Sequence, residues 1–439
     1  MSLTGSRTFV GLGFGAIQAG LFLYEAHRSG QFGRLVVAEV VPDIVASVRR
    51  AGGRVVVNIA HPDRVEQASL GPVAIENPAE EADRERLSDA IAAAAEIATA
   101  VPSIAFYATE SPGSLHRVLA EGLRRKARDG GPRTVIYTAE NHNHAAERLQ
   151  EAVMAAIPAA EHEAVRAKAR FLNTVIGKMS GVVTDPAEIR AFGLGVVTPD
   201  SPRTFLVEAF NRILISAIDF PAPPFTRGLT VFAEKPDLLP FEEAKLYGHN
   251  ATHALAAYLG AMAGRARIAE LRDLPGAMPF LRRAFIAESG AALCRKHAGL
   301  DPLFTEAGFA AYAEDLLERM TNPYLRDTVE RVGRDPQRKL GWDDRLIGVM
   351  RLARGQGIAA HGYGVGAAAA LAVLDRQTLT NPDLGRAQLA GLWQPGYGQP
   401  GWPQPSWPAL DEQEAMQQLV EQGRRRLLAW VESGFSADL

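Results

Sequence analysis

Cysteine is almost missing from this chain: Cys294 stands alone in 439 residues. One thiol cannot form an internal disulfide, and no Cys/His cluster has zinc spacing. A disulfide scaffold and a structural metal site are therefore excluded, and a reducing cytoplasm is the expected compartment. A basic excess is missing too. Lys plus Arg number 47 against 50 Asp plus Glu, for a net charge of −3. No basic stripe stands out, so neither nucleic acid nor an anionic membrane surface is an expected partner. Long apolar runs are absent. The two richest in alanine, 90–108 and 357–374, are broken by Glu96, Pro102, His361 and several glycines, so no membrane span is expected. The first residues enter a strand pattern almost directly, without the apolar stretch and cleavage site of a signal peptide.

What is present is ordinary for a soluble globular protein: 47% apolar and 22% charged residues. The length predicts two large domains. In the first half, apolar runs alternate with helical spacing. RTFVGLG, RLVVAEVV, RVVVNI, SIAFYATE and RTVIYTAEN read as buried strands. AIQAGLFLYEAHRSG, PDIVASVRRAGG, EEADRERLSDAIAAAAEIATAV and SPGSLHRVLAEGLRRKARDGG read as the helices between them. This alternation predicts an α/β fold, a Rossmann-like doubly wound parallel sheet. From 166 to about 230, RFLNTVIGKM, FGLGVVTP and RTFLVEAF suggest extra strands extending that sheet. From about 238 the spacing is almost wholly helical. The expected domains are 1–235, dinucleotide-binding, and 236–439, all-α and catalytic. The stretch 391–410, rich in Pro, Gly and Trp, is expected to be a long ordered loop.

The first strand runs into GLGFGAIQAG. Gly13 and Gly15 supply a tight turn and a backbone that lets a pyrophosphate approach, with Ala16 and Ile17 opening the helix behind them. Gln18 stands where a third glycine is expected, and Gly20 is positioned for close helix–sheet packing. Glu39 closes the second strand, where a carboxylate accepts the adenosine ribose hydroxyls and repels a 2′-phosphate. NAD is therefore the expected cofactor. Thr109, at the end of SIAFYATE, completes the candidate cofactor residues.

In the second half, KLYGHNATHAL places Lys245, Asn250 and His253 on one helix. At about 100° per residue they point near 0°, 140° and 80°, within one sector. Any one of them alone suits a helix start; together, beside a dinucleotide fold, they suit alcohol oxidation. A lysine whose pKa is lowered by burial or a neighbouring cation removes the hydroxyl proton. Amide N–H groups stabilise the oxygen as it becomes alkoxide-like. Asn250 is one such donor, and Asn141, directly after a strand, is the second. His253 orients the substrate. His142 and His144 lie close by in sequence without an assigned role. No metal has a plausible ligand set.

These residues resemble a known family. KLYGHNATHALAAYLG matches the K-x4-N-x2-H signature of the polyol-specific long-chain dehydrogenases, the mannitol dehydrogenase family. NPYLRDTVERVGRDPQRKL (322–340) with DDRLI, AEN (139–141) and NRILISAIDF resemble its branch acting on mannitol 1-phosphate. The resemblance runs from residue 8 to about 375. It implies a metal-independent, NAD(P)-dependent enzyme with Lys245 as base, Asn141 and Asn250 as oxyanion donors and His253 positioning substrate. It implies a polyol and its ketose as small-molecule partners, such as mannitol 1-phosphate and fructose 6-phosphate, in a monomer or small homo-oligomer. Arg334 and Arg331 are candidate phosphate contacts, with Arg338 and Lys339 beside them; ion pairing on a solvated stretch is the alternative. Gln18, Glu110, Ser111, Gly177 and Lys178 depart from the family pattern. They leave open an unphosphorylated sugar alcohol, a uronate, or an inactive NAD-binding sensor.

Overall fold

In the computed structural model the structure describes residues 6–201, 203–394, 409–436 and 439. Contacts divide the chain into two compact units, Met1–Leu238 and Leu239–Leu439.

Among its described residues the first unit holds twelve strands: β1 Arg7–Leu12, β2 Phe32–Ala38, β3 Val55–Ala60, β4 Val65–Leu70, β5 Val73–Glu76, β6 Ala94–Thr99, β7 Thr134–Thr138, β8 Ala169–Val175, β9 Ser180–Val183, β10 Thr204–Glu208, β11 Leu214–Ser216 and β12 Ala233–Lys235. Eight form one sheet in the order β12-β11-β8-β7-β6-β1-β2-β5. From β8 to β5 every pairing is parallel, while β11 runs antiparallel to β8. Alternate residues of β1 face opposite cores. Val10 and Leu12 pack with Leu87, Ile91, Leu119 and Leu123, on the helices Glu81–Ala93 and Leu115–Arg128. Phe9 packs with Phe22, Val57 and Val207 on the other face.

Three expectations are corrected. The extra strands do not all extend the first sheet. RFLNTVIGKM (β8) does, joined by β11 and β12, but RTFLVEAF (β10) lies in a second, four-stranded sheet, β4-β3-β10-β9, and RVVVNI (β3) leaves the first sheet to pair with it there. β5, an unforeseen strand, takes the place beside β2. A buried apolar strand carries no mark of which sheet it joins, so its composition could not decide this. Next, SIAFYATE is not a strand; it contains only a 3₁₀ turn at Ile104–Phe106. The strand is AAEIAT, read above as the end of a helix. The helix stops at Ala93 and Ala94 turns extended, φ −68°, ψ 136°, with no Gly or Pro to signal it. Alanine favours helix, yet here all six residues are buried between β1 and β7, and the two ladders override that preference. Finally, FGLGVVTP contains no strand.

The second unit is helical as expected, with one bridge, Arg267–Thr328, among its described residues. Its centre is the helix His361–Leu374, buried on every side through its middle, as suits a helix that is apolar all round. The last helix, Leu410–Glu432, crosses it where two glycines meet. A Cβ on Gly364 would lie 2.6 Å from the Leu419 carbonyl, and one on Gly423 would overlap the Gly364 backbone. Of the segment 391–410, residues 395–408 lie outside the described residues. Trp393 is buried, donating from Nε1 to the Leu340 carbonyl at 2.9 Å and meeting Trp342 edge-on at 5.0 Å.

The glycine crossing gives a direct test. Ala in place of Gly normally stabilises a helix by about 1 kcal/mol, but backbone cannot yield as a flexible side chain does. Gly423→Ala should therefore lose stability, by about 2 kcal/mol or more. Gly355→Ala, where a Cβ meets nothing within 4 Å, should be neutral or better. Equal melting curves for the two variants would refute the crossing as a tight constraint.

Candidate functional site

The first unit brings several of the anticipated residues to one edge of the parallel sheet. The chain runs outward from β1 to β2 and β5 on one side and to β6, β7 and β8 on the other, so β1 and β6 flank the switch point where α/β sheets bind ligands. Hydrogen bonds step along the carboxyl ends of the strands. Glu39 N–H donates to the Glu76 carbonyl (3.0 Å), Gly13 to Ala38 (3.1 Å), Ala100 to Leu12 (2.9 Å) and Ala139 to Thr99 (3.1 Å). Gly13 has φ +93°, and a Cβ there would stand 2.6 Å from the Ala100 carbonyl. A side chain at Gly15 would meet nothing within 4 Å, so the turn faces open space there. Ala16 and Ile17 begin the helix behind it. Gly20 lets that helix approach β10, where a Cβ would come within 2.5 Å of Val207. Glu39 is buried, with Oε1 accepting the Val41 N–H at 2.9 Å. Asn141 lies exposed just beyond β7, followed by His142, whose Nδ1 accepts the His144 N–H at 3.1 Å. Thr109 does not stand at a strand end, because its strand was misplaced. It is exposed in the loop before Leu115–Arg128, its N–H donating to Ser114 Oγ at 2.9 Å.

Lys245, Asn250 and His253 sit on one continuous helix of the second unit, but not an ideal one. The stretch Ala244–Asn250 is π-helical, and the Ala251 N–H reaches back five residues to Leu246. Wider turns bring residues five apart toward the same face. Lys245 and Asn250, about 140° apart on an α-helix, are thus drawn into line. His253, three residues after Asn250, neighbours it on the α-helix Ala251–Met262.

Lys245 is only partly covered, yet burial brings its pKa down to about 8; Glu242 opposes this shift and Arg345 adds to it. His253 is buried, with Nε2 3.1 Å from Asp327 Oδ2, although the ring N–H is not aligned on that oxygen. Burial would raise the Asp327 carboxyl; His253 and Arg331 more than offset it and hold the pKa below the usual range. Arg331 donates to Asp327 Oδ1, from Nε at 2.9 Å. One candidate phosphate contact is therefore an ion-pair partner. Arg334 is exposed after the helix Val329–Gly333, and its carbonyl accepts from Lys339 Nζ.

The Mannitol dehydrogenase C-terminal domain profile matches residues 237–382. Mannitol-1-phosphate 5-dehydrogenase of Bacillus licheniformis is 30% identical over 317 residues, covering 72% of this chain and 75% of the relative. The chain belongs to the mannitol dehydrogenase family. That is a family of polyol oxidoreductases. Its fold agrees with two solved structures. D-sorbitol dehydrogenase in substrate-free form has a TM-score of 0.72 at 13% identity, over 99% of this chain and 95% of that one. Pseudomonas fluorescens mannitol 2-dehydrogenase, in ternary complex with NAD and D-mannitol, has a TM-score of 0.67 at 15% identity, with the same coverage.

Several residues of this mannitol dehydrogenase family member escaped the sequence reading. His249 is buried beside His253, ring centroids 5.9 Å apart; burial, then His253, pushes its pKa well below the usual value. Asp327 could have been suspected, since it lies four residues before Arg331, just ahead of the helix Val329–Gly333, a spacing at which opposite charges can meet. Gly11 lies under Gln18, with no room for a Cβ. Lys178, one of the departures, is buried and donates to the carbonyls of Glu208 and Phe210, the latter at 2.7 Å. No described helix is long and apolar enough to cross a membrane.

Gln18 is wholly buried and neither amide atom has a partner among the described residues. An unpaired buried amide costs about 1–3 kcal/mol. Gln18→Met, similar in length and apolar, should raise the melting temperature. A lower one would show that the amide is satisfied in solution, for example by enclosed water.

Proposed function

We propose that this chain is an NAD-dependent polyol dehydrogenase that interconverts a hexitol phosphate such as mannitol 1-phosphate with its ketose, fructose 6-phosphate. The observation that carries the reading is Lys245, its pKa lowered to about 8 by burial, on the π-helical turn that aligns it with Asn250. The substrate follows the relative from Bacillus licheniformis, whose name is that of a mannitol-1-phosphate 5-dehydrogenase. NAD fits the first unit. The backbone at Gly15 has open space beside it, as approach of a pyrophosphate would need, and Glu39 stands just past β2 with one oxygen engaged by Val41. Gly13, Gly15, Ala16, Ile17 and Glu39 would hold the cofactor, with Glu39 on the adenosine ribose and against a 2′-phosphate.

Bound NAD supplies the hydride acceptor. The chain's own residues supply the proton handling and the polar frame. Neutral Lys245 Nζ takes the hydroxyl proton as hydride leaves carbon. The amides of Asn250 and Asn141 donate to the oxygen as negative charge develops on it. His253, held beside Asp327, orients a neighbouring hydroxyl. In the reverse direction the ammonium of Lys245 returns the proton. No metal is invoked; charge on the oxygen is met by amide donors and by Lys245 itself.

A second reading is a free sugar alcohol, favoured by one observation. Arg331 is engaged by Asp327, which leaves Arg334 as the exposed candidate for a phosphate. Initial rates with mannitol 1-phosphate and mannitol, each with NAD and NADP, separate the readings. The expected order places the phosphate with NAD first by at least about tenfold in kcat/KM, the effect of about 1.4 kcal/mol. A preference for free mannitol would overturn the phosphate assignment. Equal use of NADP would overturn the role of Glu39.

The lysine makes its own prediction. Only the neutral amine accepts a proton, so polyol oxidation should rise with pH through one ionisation near 8, set by Lys245. Ketose reduction, which needs the ammonium, should fall through the same range. Lys245→Ala should lose that ionisation and most of its activity while still binding NADH. Substantial activity with the parental pH profile would make Lys245 a bystander.

A further inference from the structure

Glu140 lies between the end of β7 and Asn141, and its carboxylate is buried. Its Oε1 accepts the Val101 N–H at 2.8 Å. Its Oε2 accepts the Thr99 hydroxyl at 2.7 Å and the Tyr107 hydroxyl. Its own carbonyl accepts the His142 N–H at 2.8 Å. One side chain thus fastens three segments at the switch-point edge: the end of β6, the turn after it and the residues after β7. These donors are all neutral, and burial pushes the carboxyl pKa up, offset in part by Tyr107, Val101 and Thr99. Burying a carboxylate without a cation is costly. An apolar residue would fill the space, but it would leave the Val101 N–H unpaired and the two loops untied.

We propose that Glu140 is a positioning residue: it clamps residues 99–101 and 107 against 139–142, and so fixes the backbone from which Asn141 presents its amide to the reacting oxygen. This rests on the reading of Asn141 as a donor. The dependence is steep, because a donor displaced by about 1 Å can lose on the order of 10²-fold in rate. Glutamine at 140 retains the clamp in outline. Its carbonyl can serve Val101, while its amide N–H groups face two hydroxyls that can turn and accept.

A double-mutant cycle tests the proposal on the full chain. Asn141→Ala should lower kcat on the order of 10²-fold. Glu140→Ala should lower kcat by at least about tenfold while the polyol KM and the NADH Kd stay within about threefold. Glu140→Gln should recover most of that loss. In the Asn141→Ala background, Glu140→Ala should cost less than about twofold, because the two changes remove one interaction. Full kcat in Glu140→Ala, or losses that multiply, would overturn the proposal while leaving the donor reading intact. Normal turnover in Asn141→Ala alone would overturn the donor reading, and the proposal with it. Should Glu140→Ala fail to fold, Tyr107→Phe removes one of the three donors and keeps the carboxylate. It should lower kcat several-fold, by about 1 kcal/mol of lost positioning, and only when Asn141 is present. An unchanged kcat there counts against the clamp.

Discussion

A wide hydrogen bond, from the Ala251 N–H to the Leu246 carbonyl, closes the π-helical stretch Ala244–Asn250 that sets the register of the second unit's polar residues. It skips one residue more than an α-helix allows. With α-helical bonding throughout, Asn250 would face well away from Lys245; with the wider turn the two come into line, and His253 follows one α-turn later. The irregularity also sits where packing is dense. A Cβ on Gly248, inside the wide turn, would stand 3.1 Å from Phe285, which belongs to another π-helical stretch, Ala284–Gly290. The polar groups are therefore held by the core behind them, while Asp327 and Arg331 hold the histidine from a different segment.

The first unit solves a different problem with backbone alone. At the end of each central strand, one peptide N–H reaches to the neighbouring strand's carbonyl, from Glu76 through to Ala139. These rungs fix the loops that follow β1, β2, β6 and β7 at matched heights. Side chains then divide the tasks: glycine where a strand end crowds its neighbour, an acid beyond β2, an amide beyond β7. The buried Glu140 ties the last two rungs together with bonds that do not depend on a charged partner.

Much of this was legible in the sequence because it rests on local chemistry. Strand–helix alternation, the glycine turn and the Lys/Asn/His spacing rest on neighbours in sequence, and Glu39 on its place just past the second strand. The misreadings arose where distant neighbours decide. Ala94–Thr99 looks like helix until strands close on both sides of it. RVVVNI carries no sign that it will join a separate sheet. Thr109 inherited the error made upstream. The π-turn is the clearest limit: an ideal helix put Asn250 within the right sector only loosely, and no residue in KLYGHNATHAL announces a bond to the fifth residue back. From sequence Arg331 suits either a phosphate or an ion pair; the spacing to Asp327 hints at the second, and the fold decides it by setting the two side chains together.

The contact of Gly364 with Gly423 has a consequence for the order in which the molecule comes together. The helix His361–Leu374 is apolar on all sides, and the one that covers it most closely, Leu410–Glu432, is synthesised after it. During synthesis the central helix therefore spends time with a bare seam lined by glycine and alanine. A seam of small residues is a poor magnet for other chains, since it offers little apolar area to a wrong partner. The same smallness that permits the close crossing in the finished protein limits the apolar area this seam exposes before it is covered.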